Sequence, residues 1–181
     1  MTRRHTGIYW LTGLSGAGKT TLSLGAAELL RSKGYGCLVL DGDILRAGLC
    51  SDLGFGPEDR RENLRRAGEL ALLAAQQNLI CLCAFITPYQ TAREALRQRL
   101  GGLYHEIYIS CPLETCLRRD PKQNYAKARQ SAVNNYTGLG APYEPPAAPQ
   151  LCVATDKNPI DVCVKMIAEY IIMSQQTTTG A

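Results

Sequence analysis

The sequence has no long apolar run, only two histidines and no CxxC pair. No stretch of its 181 residues reaches the roughly 18 consecutive apolar residues that a membrane-spanning helix needs. Residues 1–10 include Arg3 and Arg4 but no long apolar segment before a cleavage site, so we expect no secretory signal peptide. With two histidines and no CxxC pair, a zinc site is not expected either. We therefore expect a cytoplasmic protein without a membrane partner.

The chain also has little net charge. Its formal charge is +4, and 20% of its residues are charged. Without a clustered basic patch this excess is too small to argue for nucleic acid, but it suits a small anionic molecule. The eight cysteines include Cys37, Cys81 and Cys83 in apolar runs, where a free thiol behaves as a small buried hydrophobe. We expect reduced structural thiols and no nucleic-acid partner.

Apolar runs and helical patterns alternate along the chain. Strands are predicted at residues 8–12, 37–40, 79–85, 106–110 and 151–154. Helices are predicted at residues 20–33, 57–77, 91–100, 112–119 and 159–173. Such alternation is typical of a parallel sheet with helices on both faces. We therefore predict one α/β domain over residues 1–181 with a mostly parallel five-stranded sheet.

One segment, residues 120–150, interrupts this alternation. It is punctuated by prolines and contains the basic residues Lys122, Lys127 and Arg129. A long irregular segment inside a compact domain is usually functional. We predict that residues 120–150 form a lid that closes over bound ligands and excludes water.

The stretch "GLSGAGKT", residues 13–20, matches the phosphate-loop pattern G-x-x-x-x-G-K-[ST] between a predicted strand and a predicted helix. Glycines allow backbone N–H groups to turn around an anion, and the following helix directs its N-terminal dipole at the same anion. Lys19 adds positive charge near the β- and γ-phosphates, and Thr20 offers a hydroxyl to Mg²⁺. The motif predicts a P-loop NTPase-type three-layer α/β/α domain that binds a nucleoside triphosphate.

Several classes of nucleotide-binding protein share such a loop. A GTPase should have an N-K-x-D-type motif after a late strand, but the late strands lead into "SCPLETC" and "ATDKNP". A motor ATPase generally needs a longer chain and a water-activating residue where this one has "ITPY". A basic segment with prolines late in the chain favours a small kinase. A nucleotide sensor without turnover is a further alternative.

Acidic and basic residues after the second strand indicate the acceptor side of such a kinase. Asp41 and Asp43 lie where ligands bind in open α/β sheets, and can act as base and Mg²⁺ ligands. The alternative is a turn with helix-capping aspartates. Arg46 and Arg60 suit an anionic group, and Phe55 suits a stacked base. These residues point to an anionic nucleotide acceptor.

Together these motifs resemble one family of kinases. They are "GLSGAGKTT", "LDGDILRAGL", "DLGF", "DRRENLRR", "FITPY", "PLETCLRRDPK", "YAKAR" and "YTGLGAPYEPP". In number and order they resemble the adenylylsulfate kinase family over roughly residues 7–170. The resemblance implies transfer of the ATP γ-phosphate to the 3′-hydroxyl of adenosine 5′-phosphosulfate (APS) in sulfate assimilation. It further implies Mg²⁺ and a homodimer, and it leaves open a sulfurylase partner.

The resemblance also implies a role for individual residues. Lys19, Asp41 and Asp43 would be catalytic, and Thr20 and Asp41 would bind the metal. ATP would be bound by Gly13, Ser15, Gly16, Ala17, Gly18, Lys19, Thr20, Thr21, Arg118 and Arg119. The acceptor would be bound by Asp41, Arg46, Phe55, Arg60, Asn63, Ile86, Thr87 and Tyr136.

The chain departs from the family pattern at a few positions. Thr87 replaces a serine that takes up phosphate in some members, and "DPKQN" replaces "DPKG". Asn134 and Asn135 precede Tyr136 where the family usually has a lysine before "FTG". The alternative acceptor is therefore another anionic nucleotide, such as a cytidine diphosphoramidate, bound by a related P-loop kinase.

Overall fold

The computed structural model describes residues 5–120, residue 137 and residues 141–177. The strands are β1 (Gly7–Thr12), β2 (Cys37–Asp41), β3 (Ile80–Ala84), β4 (Tyr104–Ser110) and β5 (Leu151–Ala154). The α-helices are α1 (Lys19–Ser32), α2 (Gly42–Ala47), α3 (Pro57–Gln76), α4 (Gln90–Leu100), α5 (Leu113–Arg119) and α6 (Ile160–Thr177). A short 3₁₀ helix, Gly101–Leu103, connects α4 to β4.

In the described part of the chain, the strands form one five-stranded sheet in the order β2-β3-β1-β4-β5. Every neighbouring pair is parallel. Each strand predicted from the sequence is present, and the α/β prediction is confirmed. The central strand β1 is buried at every residue, as expected of a parallel strand covered on both faces.

Helices cover both faces of the sheet and divide the core into two halves. Successive side chains of a strand point to opposite faces. Tyr9 and Leu11 therefore pack on one side with residues of α1 and α6, among them Leu30 and Ile167. Residues 8 and 10 pack on the other side with residues of α3 and α4. The result is a three-layer α/β/α arrangement.

The short helix α2 was not predicted from the sequence. Asp41, the last residue of β2, is its N-cap, and the side chain accepts hydrogen bonds from the backbone N–H groups of Asp43 and Ile44. A helix of six residues is too short to leave a recognisable apolar period. It nevertheless matters for the site, because Asp43 and Arg46 lie on it, next to the end of β2.

Most of the predicted lid, together with Lys122, Lys127, Arg129, Asn134, Asn135 and Tyr136, lies outside the described residues. Residues 142–150 form irregular backbone that leads into β5. Among the described residues, no helix has the length and apolar character needed to cross a membrane.

Candidate active site

The phosphate loop connects β1 to α1 and requires glycine for steric reasons. Gly16 has a φ of 77°, and a Cβ at this position would lie 2.8 Å from the carbonyl oxygen of Cys116. Gly18, the N-cap of α1, has a φ of 103°. Both angles lie in the left-handed region that favours glycine. The loop can therefore approach α5 and turn its backbone toward the start of α1 as a phosphate-binding loop requires.

Lys19, the first residue of α1, folds back over this loop. Its Nζ donates hydrogen bonds to the carbonyl oxygens of Gly13 and Leu14 at 2.9 and 2.7 Å. The side chain is 9% exposed. The loop backbone thus positions a positive charge at the place where the sequence predicts the β- and γ-phosphates.

Thr20 and Asp41 meet at the carboxyl edge of the sheet. The Thr20 hydroxyl donates to Asp41 Oδ2 at 2.6 Å, and Asp41 is 5% exposed. The other carboxylate oxygen, Oδ1, accepts from the N–H groups of Asp43 and Ile44 at 2.9 and 3.4 Å. Asp41 is therefore a helix cap, as the alternative proposed, and also a partner of the phosphate loop. A hydroxyl beside a carboxylate is a set of hard oxygen donors that fits Mg²⁺.

One cavity of about 780 Å³ opens beside these groups at the carboxyl edge of the sheet. It brings together most of the residues that the sequence singled out. They are Ser15, Gly16, Ala17, Gly18, Lys19, Thr20, Thr21, Asp41, Asp43, Arg46, Phe55, Arg60, Asn63, Ile86, Thr87 and Arg119. The volume is of the size that small-molecule and cofactor sites have.

Two arginines converge on Phe55 in the cavity wall. The Arg46 guanidinium lies 4.5 Å from the centre of the Phe55 ring, and that of Arg60 lies 6.0 Å from it. Arg46 also donates to the Gly54 carbonyl at 2.8 Å, and Arg60 to the Phe55 carbonyl at 2.8 Å. Burial and the neighbouring charge of Arg60 lower the pKa of Arg46. An anionic ligand would relieve the repulsion between these two like charges.

Asn63, on the α3 face that also presents Arg60, contributes a buried polar atom to the cavity wall. The residue is 5% exposed. Its Oδ1 is buried and has no hydrogen-bond partner in the described part of the chain. A buried acceptor without a partner is costly, so its place in a cavity wall indicates a ligand that donates a hydrogen bond.

The segment after β3, residues 86–88, also lines the cavity, and we call it the acceptor turn. Thr87 is 2% exposed and has a φ of 43°, an uncommon backbone angle for a β-branched residue. Its hydroxyl accepts a hydrogen bond from Trp10 Nε1 at 2.8 Å. The Ile86 carbonyl accepts one from the Thr12 hydroxyl at 2.6 Å. The turn is thus fastened to β1, directly before the phosphate loop.

Comparison with known proteins identifies the family. The family model described as Adenylylsulphate kinase matches residues 5–154. The chain belongs to the adenylylsulphate kinase family.

Two relatives and one solved structure illustrate the similarity. The adenylyl-sulfate kinase of Halothermothrix orenii is 47% identical over 170 residues, which cover 93% of this chain and 91% of that protein. The probable adenylyl-sulfate kinase of Bacillus subtilis is 44% identical over 170 residues, 93% of this chain and 86% of that one. Among solved structures, one similar chain is that of the "Structure of the Mycobacterium tuberculosis APS kinase CysC in complex with AMPPNP and APS". It is 36% identical with a TM-score of 0.86, and the match covers 92% of this chain and 98% of that one. The predicted P-loop kinase fold is thereby confirmed.

Some residues predicted for this adenylylsulphate kinase site are not among the cavity-lining residues. Gly13 lies at the start of the loop, where its carbonyl accepts from Lys19. Arg118 donates to the Thr115 hydroxyl at 3.2 Å within α5 and lies outside the described cavity wall. Tyr136 lies outside the described residues. The ATP-binding role of Arg118 and the base-stacking role of Tyr136 therefore stay predictions.

The structure also brings residues to the cavity that were not predicted from the sequence. Thr155, directly after β5, donates from its hydroxyl to the Ala17 carbonyl at 2.9 Å. It also accepts hydrogen bonds from Arg119, which was predicted, at its hydroxyl and its carbonyl, at 3.1 and 2.8 Å. Asn158 and Cys163 line the same wall. Thr155 and Asn158 follow a strand of a parallel sheet, and this position could have indicated them because ligands bind at that edge; Cys163 lies inside α6.

Proposed function

We propose that this chain transfers the γ-phosphoryl group of ATP to the 3′-hydroxyl of APS, which yields 3′-phosphoadenylyl sulfate and ADP. The observation that carries the proposal is the continuity of one cavity. Its wall runs from the phosphate loop past Asp41 to the Arg46–Arg60–Phe55 group. A phosphoryl donor and an anionic nucleotide acceptor can therefore lie end to end in it. The bound AMPPNP and APS of the Mycobacterium tuberculosis relative support the same pairing.

The donor half is formed by the phosphate loop and the residues around it. The backbone of residues 15–21 would hold the phosphates of ATP, with Lys19 stabilising charge on the transferring group. Arg119 and Thr155 would border the nucleotide on the β5 side. Thr20 and Asp41 would hold Mg²⁺, which when bound neutralises charge on the β- and γ-phosphates.

The acceptor half supplies charge, a stacking surface and a hydrogen-bond acceptor. Arg46 and Arg60 would bind the anionic phosphosulfate. The Phe55 ring, 66% exposed, offers a face for adenine. Asn63 Oδ1 would accept a hydrogen bond from the nucleotide. These contacts would fix the acceptor so that its 3′-hydroxyl points toward the donor.

A carboxylate at the end of β2 would act as the general base for the 3′-hydroxyl of APS. The 3′-oxygen forms a bond to the γ-phosphorus, the bond from this phosphorus to the bridging oxygen breaks, and ADP leaves. The proton of the hydroxyl passes to a carboxylate, for which Asp41 is the first candidate. Asp43, exposed in the first turn of α2 on the same cavity wall, is the second candidate.

We further propose that residues 1–181 form a single kinase domain with residues 120–150 as a lid over both nucleotides. A homodimer, a sulfurylase partner and a cytoplasmic location are proposed on the family resemblance alone. Phosphorylation of Thr87 itself would require a change in its side-chain contacts. Because that side chain is 2% exposed and bonded to Trp10, its hydroxyl would have to leave this bond to accept phosphate.

The test is steady-state kinetics with rival acceptors. We expect turnover of ATP that depends on APS, with little turnover of a cytidine diphosphoramidate at the same concentration. The rate of ATP consumption without any acceptor is the baseline. A nucleotide sensor would consume ATP no faster than this baseline when an acceptor is added. A chain that phosphorylates the cytidine compound and leaves APS unchanged would refute the proposal.

A further inference from the structure

A buried charged cluster lies behind the acceptor turn. Arg93 of α4 and Glu106 of β4 are each 3% exposed, and Arg93 Nε lies 3.0 Å from Glu106 Oε1. Arg97 Nη2 donates to Glu106 Oε2 at 3.1 Å, and the Tyr104 hydroxyl donates to Oε1 at 3.4 Å. Both carboxylate oxygens of Glu106 are thus hydrogen-bonded. Glutamate and arginine side chains are rarely this buried unless they are paired.

The same arginine reaches the acceptor turn. Arg93 Nη1 donates a hydrogen bond to the Thr87 carbonyl at 2.9 Å, and this contact is buried. Trp10 donates to the Thr87 hydroxyl at 2.8 Å. The Thr87 carbonyl is therefore held by α4 and, through a longer bond of 3.4 Å from the Thr12 hydroxyl, by β1, which also holds the Thr87 hydroxyl. The register of the sheet connects these supports, because Trp10 pairs with Glu106 across β1 and β4.

The backbone of Thr87 needs such support. Its φ of 43° lies in the left-handed region, which a β-branched residue rarely adopts. Unfavourable backbone angles persist only where the surroundings enforce them, and they concentrate at functional sites. Thr87 lines the same cavity as the phosphate loop and Asn63. A relaxed φ would change the shape of that wall.

We propose that Arg93 and Glu106 are positioning residues for the phosphoryl acceptor. Glu106 orients the Arg93 guanidinium, and Arg93 keeps the Thr87 backbone in the conformation that shapes the acceptor half of the cavity. The pair contacts neither nucleotide and acts through Thr87. The inference rests on the proposed function, since it concerns the acceptor half of that site.

A matched pair of substitutions on one helix tests this role. Arg93→Lys keeps the charge but loses the planar fork that reaches Glu106 and the Thr87 carbonyl together. Arg99→Lys is the control, because Arg99 also lies on α4 and pairs with Glu69 at 2.7 Å, but it does not line the cavity. Both variants are assayed with APS and ATP varied separately, at a temperature well below their midpoints of unfolding.

We expect Arg93→Lys to lower kcat/KM for APS about tenfold or more, the scale of a lost charge-assisted hydrogen bond. The KM for ATP should stay within about twofold of the wild type, and Arg99→Lys should change neither constant. If Arg93→Lys does not fold, Glu106→Gln, which keeps the shape of the side chain, should show the same split between APS and ATP.

A second substitution tests whether Arg93 acts through the backbone of Thr87. Glycine adopts a positive φ without support. In a Thr87→Gly background, Arg93→Lys should therefore lower kcat/KM for APS by much less than it does in the wild-type background. Equal losses in both backgrounds would overturn the proposal.

Two other results would contradict the inference. A folded Arg93→Lys variant with a lower midpoint of unfolding but unchanged kcat/KM for APS would show that the pair serves stability alone. An equal loss toward ATP and APS would show a general disturbance of the site. If the wild-type chain does not turn over APS at all, the proposed function fails and this inference with it.

Discussion

Asp41 caps α2 and accepts a hydrogen bond from Thr20, and we propose that it also acts in catalysis. Comparing Asp41→Asn with Asp41→Ala separates the structural roles from the catalytic one. One carboxylate oxygen caps α2, and the other accepts a 2.6 Å hydrogen bond from Thr20. Asp41→Asn keeps an amide oxygen for the cap and an amide nitrogen that can donate to the Thr20 hydroxyl. Asparagine and aspartate are about equally good N-caps, so stability should fall by no more than about 1 kcal/mol.

Asp41→Ala removes both interactions. Losing the cap costs about 1 kcal/mol, and losing the hydrogen bond between Thr20 and the charged carboxylate costs about 1.5–3 kcal/mol. For a domain of this size, 1 kcal/mol corresponds to a shift of about 2–4 °C in the midpoint of unfolding. We therefore expect a clearly lower midpoint for Asp41→Ala and nearly the wild-type midpoint for Asp41→Asn.

Turnover should respond differently from stability. Without a carboxylate to accept the proton or hold Mg²⁺, Asp41→Asn should lower kcat by about 10²-fold or more. Binding of ATP without metal should change little. The assay is ADP release at saturating ATP and APS, run beside thermal unfolding. Asp43→Asn, at the second candidate base, is measured alongside to show which of the two carboxylates carries the effect. A kcat for Asp41→Asn within about threefold of the wild type would refute the role of this carboxylate.

Three other predictions concern the loop, the cavity wall and the core. Lys19→Ala should stay folded but lose most turnover, because Lys19 acts on the transferring phosphate; a comparable kcat would refute the phosphate-loop assignment. Asn63→Leu removes a buried acceptor without a described partner, so thermal stability should be unchanged or higher while the KM for APS rises; an unchanged KM would contradict the assignment. Burial raises the pKa of Tyr9 from 10.0 to about 12, so the folded chain retains a proton that the unfolded chain releases. The free energy of unfolding should therefore fall between about pH 10 and 12, and Tyr9→Phe should flatten this fall in denaturant titrations.

The sheet and the phosphate loop could be predicted from the sequence because their causes are local. A continuous apolar run such as that of β3 identifies a buried parallel strand within a few residues. The glycines of the loop are required by backbone angles and by the close approach of α5, so the loop has a short and recognisable sequence pattern. Asp41 was predicted because it ends a strand at the ligand-binding edge.

Contacts between distant parts of the chain could not be predicted in the same way. Thr155 reaches Ala17 across 138 positions, and Tyr9 reaches Ser174 across 165. The ion pair of Arg93 with Glu106 depends on how α4 packs against β4, and an arginine in a polar helix is ordinarily a surface residue. The exact supports of the acceptor turn therefore appear only in the folded structure.

The position of the new phosphate tests the central proposal most directly. The chain is incubated with ATP, Mg²⁺ and APS, and the products are identified by ³¹P NMR and mass spectrometry. We expect one equivalent of ADP for each equivalent of 3′-phosphoadenylyl sulfate, with both products absent when APS is omitted. ADP and inorganic phosphate formed at the same rate with and without APS, with APS recovered unchanged, would contradict the proposal.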